Sequence, residues 1–176
     1  MMEKSNLPVR KPNRLQGYDY STVGAYFVTL CAQNREPFFG KIMRNGTTVG
    51  VGLLDDPKVN LTQIGYIVEK HIKEMDEVYS HIRIDKYIIM PNHVHMIIVI
   101  ANDNNGSSRT PTPTNATIPA FMSTLKRMTN KSSGFSLWQR SYHDHIIRDD
   151  WDYRRIWNYI NNNPATWEKD RFYIKD

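Results

Sequence analysis

Two histidines one residue apart, His93 and His95 in Pro91-Asn92-His93-Val94-His95, are the side chains of this 176-residue sequence best suited to chemistry. Alternate residues of a strand share a face, so both imidazoles project to one side about two residues' rise apart, while Val94 points into the opposite layer. Neutral imidazole binds divalent metals, and this spacing lets two rings share one ion. Surface and packing histidines show the same spacing, so on spacing alone the bland reading leads. Tyr159 and Asn163 stand four residues apart. On a helix that puts a phenol nucleophile and an amide oxygen on one face, a turn from each other, and a hard cation accepts such an oxygen. Taken singly, Tyr159 reads as a core or rim aromatic and Asn163 as a helix-ending residue before Pro164. The conjunction with the histidines is what favours chemistry.

These groups need elements to hold them. Ala25 to Ala32 (AYFVTLCA) has the aromatic and β-branched content of a buried strand. Pro37 to Leu54 reads as an inserted hairpin, because Asn45-Gly46 supplies the positive φ angles of a tight turn, with Val49 and Val51 alternating behind it. From Asn60 the period changes: Leu61, Ile64, Val68, Ile72, Met75 and Tyr79 form a helical stripe, with Asn60 and Gln63 as its capping box. Ile82 to Met90 and His93 to Ile100 are strands joined by Pro91-Asn92, hence antiparallel neighbours. A second helical stripe runs Ile118, Phe121, Met122, Leu125, Met128. A short strand through Tyr142 to Arg148 and a last helix from about Asp150 to Asn163, stopped by Pro164, complete the order. An α+β plan fits: a ferredoxin-like antiparallel sheet, helices packed mainly on one face, the inserted β-hairpin, and a C-terminal helix carrying the tyrosine.

Length supports one domain with tails: a basic arm over 1–20, a single domain over 21–176, and a mobile loop at 101–117 (ANDNNGSSRTPTPTNAT) that lacks bulky apolar residues. Hydrophobic residues at 40% and charged residues at 23% exclude global disorder. The lone Cys31 rules out an intrachain disulfide and agrees with a reducing, cytoplasmic setting. No run approaches the roughly 20 apolar residues of a membrane helix. A net charge of +5 favours a polyanionic partner. Arg10, Lys11 and Arg14 make the arm a candidate to lie on a phosphate backbone.

The segment YIIMPNHVHMIIVI resembles the His-hydrophobic-His motif of the HUH nucleases, and its Met90-Pro91-Asn92 lead-in resembles the single-tyrosine transposases, specifically the REP-associated tyrosine transposases and their insertion-sequence relatives. Further blocks are similar in the same order: Asn13-Arg14-Leu15-Gln16-Gly17-Tyr18-Asp19-Tyr20, Tyr26-Phe27-Val28-Thr29, Trp138-Gln139-Arg140-Ser141-Tyr142-His143-Asp144-His145, and Tyr159-Ile160 before Asn163-Pro164. The resemblance implies that His93 and His95 ligate Mg²⁺ or Mn²⁺ and that Tyr159 is the nucleophile. Close relatives carry a glutamine one turn after the tyrosine as third ligand, where this chain has Asn163.

The resemblance further implies a metal-dependent endonuclease and strand transferase acting on single-stranded, hairpin-forming repeat DNA, its phosphates gripped by the basic arm, Lys126, Arg127 and Arg154 or Arg155. Trp138, Gln139 and Arg140 could stack on or clamp such a strand, and the second His-x-His, His143 and His145, reads as structural or DNA-contacting. Cleavage would leave a 5′-phosphotyrosine and a free 3′-hydroxyl, conserving bond energy for rejoining. Tyr142 and Tyr153 are rival phenols off the motif position. The protein would act as monomer or homodimer, with the tyrosine serving its own or a partner's histidines. Two other classes stay open: a domesticated DNA-binding protein without turnover, and a hydrolytic metalloenzyme that forms no covalent link.

Overall fold

The computed structural model describes residues 17–43, 57–101 and 117–174. The elements are β1 (Gly24–Cys31), β2 (Gly40–Met43), β3 (Lys58–Leu61), α1 (Gln63–Val78), β4 (Ile82–Ile89), β5 (His93–Ile100), α2 (Thr117–Ser133), β6 (His143–Ile147) and α3 (Asp150–Asn162). Four strands form one antiparallel sheet in the order β4-β5-β1-β6, while β2 and β3 pair separately. Without that inserted hairpin the chain runs β-α-β-β-α-β, the ferredoxin-like plan expected.

The pleat sorts the strands' side chains between two cores. Tyr26, Val28 and Leu30 of β1 and Val94, Met96 and Ile98 of β5 join Val68, Ile72 and Met75 of α1 and Phe121, Met122 and Leu125 of α2. On the other face Phe27, Ile97 and Val99 meet Ile156 and Ile160 of α3. The helices therefore divide two to one, and α3 alone covers the face that carries both histidines. Coverage on both sides is why the end of β5, Met96 to Ile100, is continuously apolar rather than alternating.

The insertion differs in detail from its reading in the sequence. β2 and β3 pair from Gly40↔Leu61 to Met43↔Lys58, so the hairpin reaches beyond Leu54, and Asn60 sits in a strand opposite Lys41. The cap of α1 is Thr62, whose hydroxyl accepts the Gly65 N–H at 3.1 Å and donates to the Phe38 carbonyl at 2.5 Å. The Asn60–Gln63 capping box is not formed, because strand pairing claims Asn60 first. Gly65 is required here, since a Cβ would run into the Phe39 carbonyl. The Asn45-Gly46 turn, Val49, Val51, residues 102–116 of the polar loop, and Arg10, Lys11 and Arg14 lie outside the described residues.

The arm read as ending at residue 20 gives way to the domain earlier. Tyr20 is buried and donates to Asp144 Oδ2 at 2.6 Å, and Tyr18 packs edge-on against Tyr20. Aromatic area outweighs the polar sequence around it. After β6, Asp149 caps α3 by accepting the Asp152 N–H at 2.8 Å. Beyond α3, Pro164–Lys169 forms a 3-10 turn that sends the chain back across the histidine face. No helix among the described residues is long and apolar enough to cross a membrane.

Candidate active site

His93 and His95 open β5, opposite Cys31 and Thr29 of β1. Each ring is held from behind. Asn92 Nδ2 donates to the Phe172 carbonyl at 2.9 Å, leaving Asn92 Oδ1 to accept from His93 Nδ1 at 3.0 Å. The Thr29 hydroxyl meets His95 Nδ1 at 2.8 Å. These contacts direct both Nε2 atoms into the site, where they lie 2.9 Å apart. Lone pairs at that distance repel unless a proton or cation sits among them. Burial disfavours the protonated rings: it pulls His93 down to about 4 against the opposing pull of Asp170, and holds His95 well below the ordinary histidine value, with help from His93 and Arg171.

Tyr159 is delivered by the third turn of α3, which Ile156 and Ile160 anchor on the sheet. Its hydroxyl donates to Asp170 Oδ2 at 2.7 Å and lies 3.2 Å from His95 Nε2. Burial, then the Asp170 charge, raises its pKa, so the resting phenol is protonated. Asn163, fully buried at the end of α3, donates from Nδ2 to the same Asp170 oxygen at 2.8 Å, and its Oδ1 has no hydrogen-bond partner among the described residues.

Asp170 ties these groups together and carries no signal in the sequence. Burial would raise its pKa, but the Phe172 N–H, at 2.7 Å from Oδ1, with the Tyr159 hydroxyl and the Asn163 amide, outweighs burial and holds it below the ordinary carboxylate value. Ligand atoms of His93, His95 and Asp170 all lie within 4.8 Å of one another. Two neutral imidazoles and a carboxylate make a donor set that fits a divalent cation. Phe172 covers the rings, 4.7 Å from His93 and 5.9 Å from His95 between centroids. Beside it a groove is lined by Phe27, Thr29, His95, His143, Tyr159 and Phe172, with Arg155 and Arg171 supplying positive charge.

A buried metal-type His-x-His facing a helical tyrosine is the arrangement expected of a single-tyrosine nuclease, and the sequence match agrees: residues 25–163 fit the family described as Transposase IS200 like. The chain belongs to the IS200-like transposase family. An uncharacterized protein of Haemophilus influenzae is 32% identical over 180 residues, covering 94% of this chain and 93% of that protein. Among solved structures the fold is similar to that of a REP-associated tyrosine transposase bound to a REP hairpin, with a TM-score of 0.57 and 17% identity over 90% of this chain and 74% of that one. Family membership assigns this transposase to DNA nicking and rejoining in general.

In this IS200-like transposase the other residues singled out from sequence scatter. Trp138 is buried, and its indole N–H donates to Thr129 Oγ1 at 2.7 Å, so it is a core residue rather than a stacking surface. The Lys126 ammonium donates to the carbonyls of Gln139, Arg140 and Ser141 at 2.8, 3.2 and 3.1 Å, fastening the loop before β6 instead of facing a phosphate. Arg127, Arg140 and Arg154 are exposed and outside the groove lining. Arg155 does line the groove, paired with Asp152 at 2.7 Å. His145 Nε2 meets the other Asp152 oxygen at 2.6 Å, and both members of the second His-x-His line the groove wall. Tyr153 donates to Asp85 on the β4 side and Tyr142 is buried in the core; neither lines the groove.

Proposed function

We propose that this transposase cleaves and rejoins single-stranded DNA beside hairpin-forming repeats, with Tyr159 as nucleophile and a 5′-phosphotyrosine intermediate. One observation carries the reading: the Tyr159 hydroxyl lies within hydrogen-bond reach of both His95 Nε2 and the Asp170 carboxylate, beside a groove with cationic walls. The hairpin part draws support from the structural relative, which is bound to a REP hairpin.

His93, His95 and Asp170 would hold a divalent cation, Mg²⁺ or Mn²⁺, with Asn163 Oδ1 as a further oxygen donor. Such a cation supplies Lewis-acid polarisation of the phosphate. Arg155 and Arg171 bind the non-bridging oxygens of the scissile group. Tyr159 Oη forms the new bond to phosphorus while its proton passes to Asp170. The P–O3′ bond breaks, its electron pair stays on O3′, and that oxygen takes up a proton to become the 3′-hydroxyl. Attack of a 3′-hydroxyl on the phosphotyrosine reverses each transfer, so rejoining requires no external energy. Phe27 and Phe172 pack against the buried histidines, while the Tyr159 ring, edge-on to Phe27, stays partly open to the groove.

Labelled single-stranded hairpin oligonucleotides incubated with Mn²⁺ and run on a denaturing gel test the proposal. The wild type should give a covalent protein–DNA band that Tyr159→Phe abolishes and Tyr153→Phe retains. An adduct surviving Tyr159→Phe transfers the role to another residue. Cleavage without any adduct would establish the hydrolytic reading, and binding without cleavage the domesticated one.

A further inference from the structure

We infer that Trp151, in the first turn of α3, is a stacking platform for an unpaired base of the DNA strand held in the groove, joined to Tyr159 by Arg155 as a phosphate clamp. The inference rests on the reading of the groove as a single-stranded DNA site and names where the strand leaves it.

Trp151, Arg155 and Tyr159 recur every four residues and so share one flank of α3. The buried stripe beside them, Asp152, Ile156 and Ile160, turns that flank toward β6. Trp151 is 73% exposed, the highest value among the large hydrophobic residues described. A lone exposed indole needs no explanation by itself. This one is continuous with the site, because the Arg155 guanidinium lies 5.6 Å from its ring centroid while the same side chain lines the groove with Tyr159.

Arg155 is also pre-positioned. Its Nη2 donates to Asp152 Oδ1 at 2.7 Å, and Asp152 Oδ2 is held by His145 of β6 at 2.6 Å. One edge of the guanidinium fork is thus fixed, and the side chain, 54% exposed, keeps further donors for an anion. Of the nearby acids, Asp152 is doubly paired, Asp149 caps the helix and Asp144 in the groove wall accepts from Tyr20, while Asp150 is exposed beside Trp151. Along the helix axis Trp151 stands about 12 Å from Tyr159. A stacked strand, rising about 3.4 Å per nucleotide, covers that in at most about four nucleotides, and an unstacked one in fewer.

Trp157 supplies an internal contrast. It is 37% exposed on the opposite flank, and Lys86 Nζ lies 4.2 Å from its ring while donating to Asn161 Oδ1 at 3.2 Å. Each indole has a cation near it, but Lys86 lies close over the half-as-exposed Trp157 on the β4 side, whereas Arg155 stands farther from Trp151 and lines the groove. Stacking on every base's π face gives affinity without sequence preference, which suits the unpaired stretch next to a cleavage step.

The test uses the full chain and a fluorescent mixed-sequence single-stranded oligonucleotide, with anisotropy measured across a salt series. Trp151→Ala should weaken binding about 5- to 100-fold without altering the salt slope, and Trp151→Phe should restore most of the loss. Arg155→Ala should reduce the slope by about 0.7, one phosphate's worth on a single strand. Trp157→Ala should bind as the wild type. Single abasic substitutions along the oligonucleotide should include one position that weakens the wild type but not Trp151→Ala, marking the stacked base. Wild-type affinity in Trp151→Ala, or a loss shared equally by all abasic positions, overturns the inference while leaving the cleavage chemistry intact. Failure of the wild type itself to bind single strands or form the tyrosine adduct would instead remove the reading of the groove.

Discussion

Replacing Asp170 by Asn removes one charge at nearly constant volume and tests the carboxylate as hydrogen-bond acceptor, proton acceptor and proposed metal ligand together. Asp170 accepts hydrogen bonds from the Phe172 N–H, the Tyr159 hydroxyl and the Asn163 amide. An amide offers a single acceptor oxygen, so at least one donor loses its partner. A hydrogen bond to a charged group contributes about 1.5–3 kcal/mol, and the partial exposure of Asp170 reduces that, so a stability loss of about 1–2 kcal/mol is expected. For a chain of this size that is a fall in Tm of roughly 2–8 °C. The rate of adduct formation should fall much further, by about 100- to 10,000-fold, the range for losing a positioned proton acceptor. The phenol should move in the opposite sense. Because the Asp170 charge contributes to its raised pKa, Asp170→Asn should lower the Tyr159 titration, read as an ultraviolet difference spectrum against Tyr159→Phe. Single-turnover adduct assays at a temperature where both proteins remain folded give the rate. A variant that melts early yet forms adduct at the wild-type rate would refute the proton-acceptor argument and leave Asp170 a structural residue.

In metal-free buffer both active-site histidines are held neutral, whereas the unfolded chain protonates them below about pH 6.5, so stability should be flat above that value and fall as pH drops toward 4. The slope reaches up to about 1.4 kcal/mol per pH unit for each ring, and pH-independent urea midpoints across this range would contradict it. The mixed nitrogen and oxygen donor set should favour Mn²⁺ over Mg²⁺, seen as a larger Tm shift with Mn²⁺ that His95→Ala abolishes. Lys126→Ala should destabilise by about 1–3 kcal/mol without changing the salt slope of DNA binding, because its ammonium serves three carbonyls. Gly65→Ala should cost about 1–3 kcal/mol by overpacking against the Phe39 carbonyl, and a wild-type melt would show that the helix start yields.

Much of the sheet was legible because its signals are local. β5 and β6 each follow a turn or break, and the 3.6 period of α1, α2 and α3 marks their buried stripes. His93, His95 and Tyr159 were legible as a set because strand alternation and helix geometry fix where they point, and the family blocks supplied their conjunction. What failed was long-range competition for a residue. Asn60 caps well in isolation but lies opposite Lys41, and Lys126 reads as a solvated cation until the loop before β6 folds over it. Trp138 looks like a nucleic-acid aromatic because the sequence does not reveal Thr129 waiting for its indole N–H. Asp170 sits in no periodic segment and no motif; only the turn after Pro164 brings it to Tyr159.

That turn bears on how the protein can be handled in the laboratory. The stretch matched by the family ends at residue 163, whereas the carboxylate and the ring covering the histidines come from residues 170 and 172. A minimal fragment trimmed to the matched stretch would retain His93, His95 and Tyr159 in its sequence and still be chemically incomplete. Fragments meant to keep these contacts should therefore include residues 164–174.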